Sequence, residues 1–444
     1  MSQHKRRFAA VGTGARVPMF LDPIARDYGD RCEIVALCDP SRVRMEYHHR
    51  RLAELYGYPG AIGKYHANDF DRMLQETRPD AVIICSVDST HHDYLIRSLD
   101  HGCDVICEKP LTVDEEKCRA ILEAKERSRG TVRVAFNLRW SPGVGRVREL
   151  IREGAVGTVR QVTMDYRLDL SHGADYFRRW HSDKNHSGGL LVHKSTHHFD
   201  LVNWWLDAIP STVYAAGDLV FYGRQNAIAR GEAALTQYGR YLETSPARDP
   251  FHFDLQDPHL HALYRDAEAE TGYIRDRNVF REGITIEDLM SVMVRYRNGA
   301  VLQYSLNAFS PQEGFRVGFC GDRGRLEYEE WRPPFAAGTG GGAPADRSTI
   351  TRRLVVQPLF GEAYEVGVPH RAGGHGGGDV LLKDHLFSGE ALSDPAGRPA
   401  GVEQGAASAL VGIAANRSMA TGLPVRIDDL LCLRPECARL SDLA

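Results

Sequence analysis

The chain has 444 residues, more than a single core of ordinary size holds, which predicts two domains. Hydrophobic residues make up 43% and charged residues 26%, with a net charge of −4, a balance that excludes a disordered chain and gives no pull toward nucleic acid. No apolar stretch is long enough to span a bilayer, residues 1–7 lack the apolar core of a secretory signal, and nine scattered cysteines read as reduced packing thiols, so the expected placement is cytoplasmic, away from any membrane.

In chain order, a short apolar run at 8–11 enters Gly12-Thr13-Gly14-Ala15-Arg16, and a second run at 33–38 ends in Asp39. Strand, glycine turn, helix, strand and acid are the parts of a dinucleotide cradle. Gly12 and Gly14 admit a pyrophosphate to the amides of Ala15 and Arg16 at a helix start, and Asp39 accepts from the ribose hydroxyls. Val17 stands where a third glycine is expected, so the turn gains weight only from its βαβ context. The Asp39 carboxylate would repel a 2′-phosphate, which favours NAD with NADP as the variant; Arg42 is placed to stack on adenine or to take that phosphate.

Helix and strand then alternate at 70–76 and 81–87, 90–101 and 104–107, 113–128 and 132–136, which predicts a parallel sheet covered on both faces. Glu108-Lys109-Pro110 falls at the C-terminal end of a predicted strand, the edge where open α/β sheets bind ligands. Lys109 there is placed to polarise or protonate a substrate oxygen, against the plainer reading of a surface Glu-Lys pair.

Residues 187–200 crowd ionisable groups into an apolar segment. If the segment is one helix, His193 and His197 lie a turn apart and Asp200 three residues on, so that all three share a proton-transfer face. His197 is the first choice of base because imidazole titrates near neutrality, with His193 beside it. The His193-x-x-x-His197 spacing also suits a metal, but Lys194 lies where it would repel a cation, and no metal is expected. Lys194 and His198 point off the face and read more simply as packing or solvated groups, with Lys194 retained as a substrate contact. Tyr166 and Asp169 are further acid–base candidates, although a buried tyrosine is more often core.

Residues 223–282 are polar, aromatic and histidine-rich, interrupting strand-like segments at 213–222 and 289–297; they are expected to form a lid over the substrate or an oligomer arm. Arg275 and Arg277 could meet an anionic substrate, but each taken singly reads more simply as solvated charge. Residues 332–348 read as a flexible linker, and the glycine cluster at 373–379 brings His375, a second-tier substrate candidate, to a helix start. The alanine-rich stretch at 404–420 is predicted to be a packed helix.

Taken together, Glu108-Lys109-Pro110, Ser86-Val87-Asp88-Ser89-Thr90-His91, Phe136-Asn137-Leu138-Arg139-Trp140-Ser141-Pro142 and Gly154-Ala155-Val156-Gly157 resemble the marks of the Gfo/Idh/MocA family, the glucose–fructose oxidoreductase and inositol dehydrogenase relatives, over most of residues 6–330. The resemblance implies an α/β chain: a Rossmann-type doubly wound parallel sheet over 1–140, then an α+β domain over 141–444 with a large, mostly antiparallel open sheet, carrying insertions near 223–282 and 332–376. It implies a nicotinamide cofactor, a sugar, polyol or sugar-acid substrate and a homo-oligomer, dimer or tetramer. It adds Ser86, His91, Glu108 and Asn137 to the cofactor set and places Lys109 and His197 in acid–base roles. The departures are His193 where the family has aspartate and Ser195 where it has glycine. Replacing an anion by imidazole suggests tolerance of an anionic substrate such as a uronate. The expected activity is a dehydrogenase. Its rivals are an NAD-dependent, redox-neutral glycosidase and a catalytically idle cofactor sensor.

Overall fold

The computed structural model describes residues 5–334, 349–389 and 394–443, with His375 described by its backbone alone. The linker expected over 332–348 therefore lies almost wholly outside the described residues. The chain divides into two compact units: Met1–Trp140 with Leu255–Arg275 and Ala372–Ala406, and Ser141–Asp254 with Asp276–Arg371 and Ala407–Ala444.

In the first unit β1 (Arg6–Val11), β2 (Cys32–Cys38), β3 (Gly63–Tyr65), β4 (Ala81–Ile84), β5 (Asp104–Cys107) and β6 (Val132–Val134) form one parallel sheet in the order β3-β2-β1-β4-β5-β6. Phe8 to Val11 and Ala81 to Ile84 are buried at every position, as strands covered on both faces require. The crossover helices are α1 (Pro18–Arg26), α2 (Arg42–Tyr56), α3 (Phe70–Thr77), α4 (His91–Asp100) and α5 (Glu115–Arg127). Side-chain caps start two of them: Ser41 accepts from Arg44 N, and Asp114 from Lys117 N. The strand order reverses between β1 and β4, and the crevice outside that reversal is where such sheets take a nucleotide.

Two later segments belong to this unit rather than to the 141–444 domain in which the sequence reading puts them. The helix Gly378–Phe387 buries Leu382, Leu386 and Phe387 in the core with Phe8 and Phe20, the rings of Phe8 and Phe387 meeting edge to face at 5.4 Å. Leu255–Arg275, from the middle of the polar insertion, buries Leu263 and Ala267 completely, and Leu263 O accepts a hydrogen bond from Arg44 on α2. Leu263 and Ala267 are four residues apart, one helical turn, too short an apolar pattern in a polar stretch to announce a docking face, so the reading of a substrate lid or oligomer arm does not foresee that this part of the insertion packs into the first unit. Arg275 is buried at 7% exposure with its guanidinium 5.8 Å from the Tyr264 ring, not solvated as expected; Arg277 is exposed.

In the second unit α6 (Pro142–Arg152) leads to β7 (Val159–Asp169), which continues into α7 (Leu170–Arg178). Three short helices follow, α8 (Lys184–Ser187), α9 (Leu190–His193) and α10 (Thr196–Leu206), then β8 (Pro210–Asp218), β9 (Leu289–Tyr296), β10 (Val301–Ser310), β11 (Gly314–Gly321), β12 (Gly324–Trp331), β13 (Thr351–Pro358), β14 (Tyr364–Glu365) and β15 (Val425–Arg426). The nine strands run β14-β13-β12-β11-β7-β10-β9-β8-β15, antiparallel except where β7 meets β10. Strict alternation of exposed and buried residues along β9 marks a sheet with one face covered and one open. Tyr166, Tyr304, Phe315 and Val317 point to the covered face. Tyr214 and Met293, 45% and 49% exposed, lie on the open one. The alanine-rich helix Val402–Thr421 packs closely enough that a Cβ on Gly412 would come within 2.4 Å of Leu191 O.

Candidate active-site halves

The first unit carries the nucleotide half. Gly12 adopts φ +83°, and an added Cβ would lie 2.4 Å from Ser86 N, so only glycine lets the turn after β1 pass the end of β4. The turn is tied to the end of β2: Thr13 N donates to Asp39 at 2.6 Å, Ser41 N donates to the other carboxylate oxygen at 2.8 Å, and Gly12 N donates to Cys38 O. Asp39 is 2% exposed. Ala15 N donates to the Tyr264 hydroxyl at 3.0 Å, an oxygen where a phosphate oxygen is expected. Arg16 pairs with the buried carboxylate of Glu108, whose other oxygen accepts from Lys109 N at 3.1 Å. The conformation-restricted turn and the acid after β2 fit a dinucleotide.

The remaining predicted cofactor residues divide. His91 is 1% exposed with its ring nitrogens 2.8 Å from Pro110 O and 3.2 Å from Ser86 O; burial pushes its pKa down, and it braces the loops after β4 and β5. Ser86 Oγ accepts from Thr90, and Asn137, fully buried, donates to Asp379 at 2.7 Å. Arg42 points outward, its side chain 79% exposed and 3.7 Å from Glu46.

The second unit carries the candidate acid–base residues of the segment at 187–200. Residues 187–200 do not form one helix: α9 ends at His193 and α10 starts at Thr196. Ser195 N reaches back five residues to Leu190 O at 2.8 Å, and its hydroxyl is held 2.9 Å from Tyr304 OH, which widens the turn and breaks the single face drawn from spacing alone. His193 sits among rings, 4.1 Å from His181, 5.5 Å from Tyr176 and 5.9 Å from Trp180 between centroids. His197 is buried at 4% exposure and Asp200 at 1%. His198 is a core residue, stacked on Tyr166 at 3.9 Å, with its Nδ1 2.7 Å from Tyr304 OH. Among the described residues no group of three His, Cys, Asp or Glu is placed to hold a metal ion.

Lys194 departs most from expectation. It is 8% exposed, its ammonium 5.2 Å from the Tyr166 ring; burial lowers its pKa, with Glu313 opposing and Arg332 reinforcing the shift. A helical wheel drawn through the break would turn it off the face shared by His193 and His197; in the structure it lies against Tyr166. Glu313, His172, Tyr176 and Arg332 have no mark in the sequence as functional residues. Glu313 lies 2.9 Å from His172 Nδ1 and 3.3 Å from Arg332, and His172 Nε2 lies 3.1 Å from Tyr176 OH. Burial alone would raise the Glu313 pKa, but the hydrogen bond and charge of His172, with the charges of Lys194 and Arg332, hold it at about 2. His172 and Tyr176, four apart on α7, had a helical signal; Glu313, in the β10–β11 turn, had none. His375 has no described side chain.

A glycine turn and acid at the reversal of a doubly wound sheet, in a chain with a second, mostly antiparallel sheet, define an NAD-binding α/β oxidoreductase. Residues 6–136 match the model of the oxidoreductase family's NAD-binding Rossmann fold, and residues 148–427 match that of its C-terminal alpha/beta domain. The chain belongs to the Gfo/Idh/MocA family. It is 35% identical over 426 residues to YteT of Bacillus subtilis (strain 168), an oxidoreductase by name, covering 93% of this chain and 95% of that protein. Over 136 residues it is 34% identical to inositol 2-dehydrogenase of Rhizobium meliloti (strain 1021), 31% of this chain and 39% of the relative. The fold matches aldose-aldose oxidoreductase from Caulobacter crescentus at TM-score 0.60 and 17% identity, covering 95% of this chain and 100% of that one. It also matches the WlbA dehydrogenase from Bordetella pertussis in complex with NADH and UDP-GlcNAcA at TM-score 0.61 and 17% identity, covering 95% and 99%.

Proposed function

We propose that the protein oxidises a carbinol of a sugar, polyol or sugar acid, with NAD rather than NADP as its partner. The observation that carries this reading is the glycine turn locked to Asp39 at the sheet reversal, together with Glu108 and Lys109 following β5. A bound nicotinamide supplies the hydride acceptor. Lys109 hydrogen-bonds the carbinol oxygen and stabilises its developing charge; His197 accepts the hydroxyl proton. His193, in its ring of aromatic groups, contacts the substrate together with Tyr166 and Lys194. The buried Lys194 ammonium supports a sugar acid within this class, because a cation out of water is stabilised by an anionic partner. Homologues named for inositol and D-glucoside dehydrogenation support the polyol and sugar class.

The same halves support a second reading, the redox-neutral glycosidase. The Glu313–His172–Tyr176 chain of hydrogen bonds is a further acid–base relay, which elimination and hydration would need beyond oxidation. One experiment separates the two: sub-stoichiometric NAD with free sugars, uronates and their aryl glycosides. NADH limited by the NAD supplied marks the dehydrogenase; many turnovers of aglycone release without net NADH mark the glycosidase. Failure of both, with Lys109→Met indistinguishable from the parent, would remove the catalytic reading.

For self-association, the open sheet face around Tyr214 and Met293 is the surface we assign to a homo-oligomer.

A further inference from the structure

The inserted segment Leu255–Arg275 does more than add core to the nucleotide unit. It puts an anion at the head of α2. Glu270 accepts a hydrogen bond from Ser41 Oγ at 2.5 Å and from Val43 N at 3.2 Å. Ser41 is the N-cap of a 15-residue helix, fully buried, and its own amide is held by Asp39. The carboxylate thus arrives from 229 residues away in sequence and sits on the hydroxyl and amide of a helix start, where backbone dipole and free N–H groups favour negative charge.

Residues just past the acid that ends the second strand are those that meet the 2′ position of an adenine ribose in this fold. Read without the insertion, the run Ser41-Arg42-Val43-Arg44 would make a serviceable 2′-phosphate site, with a hydroxyl, an amide and two guanidinium groups. Arg42 is exposed and held only by Glu46 at 3.7 Å. The insertion turns Arg44 to its own use: its guanidinium lies 5.5 Å from the Tyr264 ring and 5.7 Å from the Tyr273 ring, and 3.7 Å from Asp39. The two donors at the helix start itself, Ser41 Oγ and Val43 N, are occupied by Glu270, which leaves the exposed Arg42 alone.

We propose that Glu270 is a dinucleotide-specificity residue, a carboxylate supplied by the insertion that holds the donors of a latent 2′-phosphate site and so admits NAD while refusing NADP. The inference rests on the dinucleotide reading above and deepens it. Asp39 accepts from Thr13 N and Ser41 N, so part of its charge is already answered by amides; Glu270, open to solvent, faces an arriving phosphate directly. Two like charges at hydrogen-bond range repel by enough to change affinity tenfold or more even in a well-solvated setting.

The test is binding, not turnover: titration of the purified full chain with NADH and NADPH by fluorescence and calorimetry, for the parent, Glu270→Gln and Glu270→Ala. The parent should bind NADH at least 30-fold more tightly than NADPH. Each variant should strengthen NADPH tenfold or more while NADH stays within threefold of the parent, which also reports that the unit is folded. A parent that binds the two equally, or a ratio unmoved within threefold in both variants, overturns the role of Glu270 and leaves the oxidoreductase reading standing. Binding of neither nucleotide by the parent overturns that reading and this inference together.

Discussion

The Lys194 ammonium lies 5.2 Å from the centroid of the Tyr166 ring, on the covered face of the large sheet, with no hydrogen bond or ion pair to another described residue. A buried cation whose protein partners are a ring face and the more distant charge of Glu313 still lacks a hydrogen-bonded anion, and an anionic substrate group would supply one. Lys194→Met should therefore raise KM for sugar acids at least tenfold while leaving NADH affinity unchanged. The same change should be neutral or stabilising in a thermal melt, because it removes a buried charge that no hydrogen-bonded anion offsets. Equal losses on acidic and neutral substrates would show that Lys194 does not read charge.

Glu313 links pH to stability. Its carboxyl titrates at about 2 in the fold against an ordinary 4.5, because His172 and the nearby cations favour the charged form. A depressed carboxyl contributes its stability fully above the unfolded value and loses it as pH falls toward the folded one. Urea denaturation of the parent and Glu313→Gln should differ by about 3 kcal/mol at neutral pH. The gap should close between pH 4.5 and about 2.

Gly12→Ala sets a side chain 2.4 Å from Ser86 N in a left-handed backbone. Both β1 and β4 would have to shift at the sheet reversal. The expected cost is roughly 2 kcal/mol or more in stability, read by chemical denaturation, together with loss of NADH binding by titration. Retained binding at parental affinity would argue that the turn does not cradle the nucleotide.

If the open sheet face joins subunits, Met293→Lys combined with Tyr214→Asp should shift the protein to a smaller species in light scattering. Charge placed at the centre of an apolar contact costs several kcal/mol, enough to move a dimer into the monomer range. An unchanged mass would put self-association elsewhere.

The parts whose physics is local were legible in the order of residues alone. The parallel sheet followed from fully apolar strands alternating with helical segments, and the nucleotide turn from Gly12, Gly14 and Asp39, because tight turns and strand ends are written in neighbouring residues. The acid–base candidates Lys109, His193 and His197 were legible from motif and residue type. Tertiary structure decided what depended on contacts between distant segments. It turned Lys194 inward, because Ser195 reaches back to Leu190 and across to Tyr304 and so breaks the helix that spacing suggested. It assembled Glu313, His172 and Tyr176 from a loop and a helix 141 residues apart at their carboxylate–imidazole contact. It carried Glu270 to Ser41, a placement set by the burial of Leu263 and Ala267, a single helical-turn pair that carries no sign of the segment it docks on.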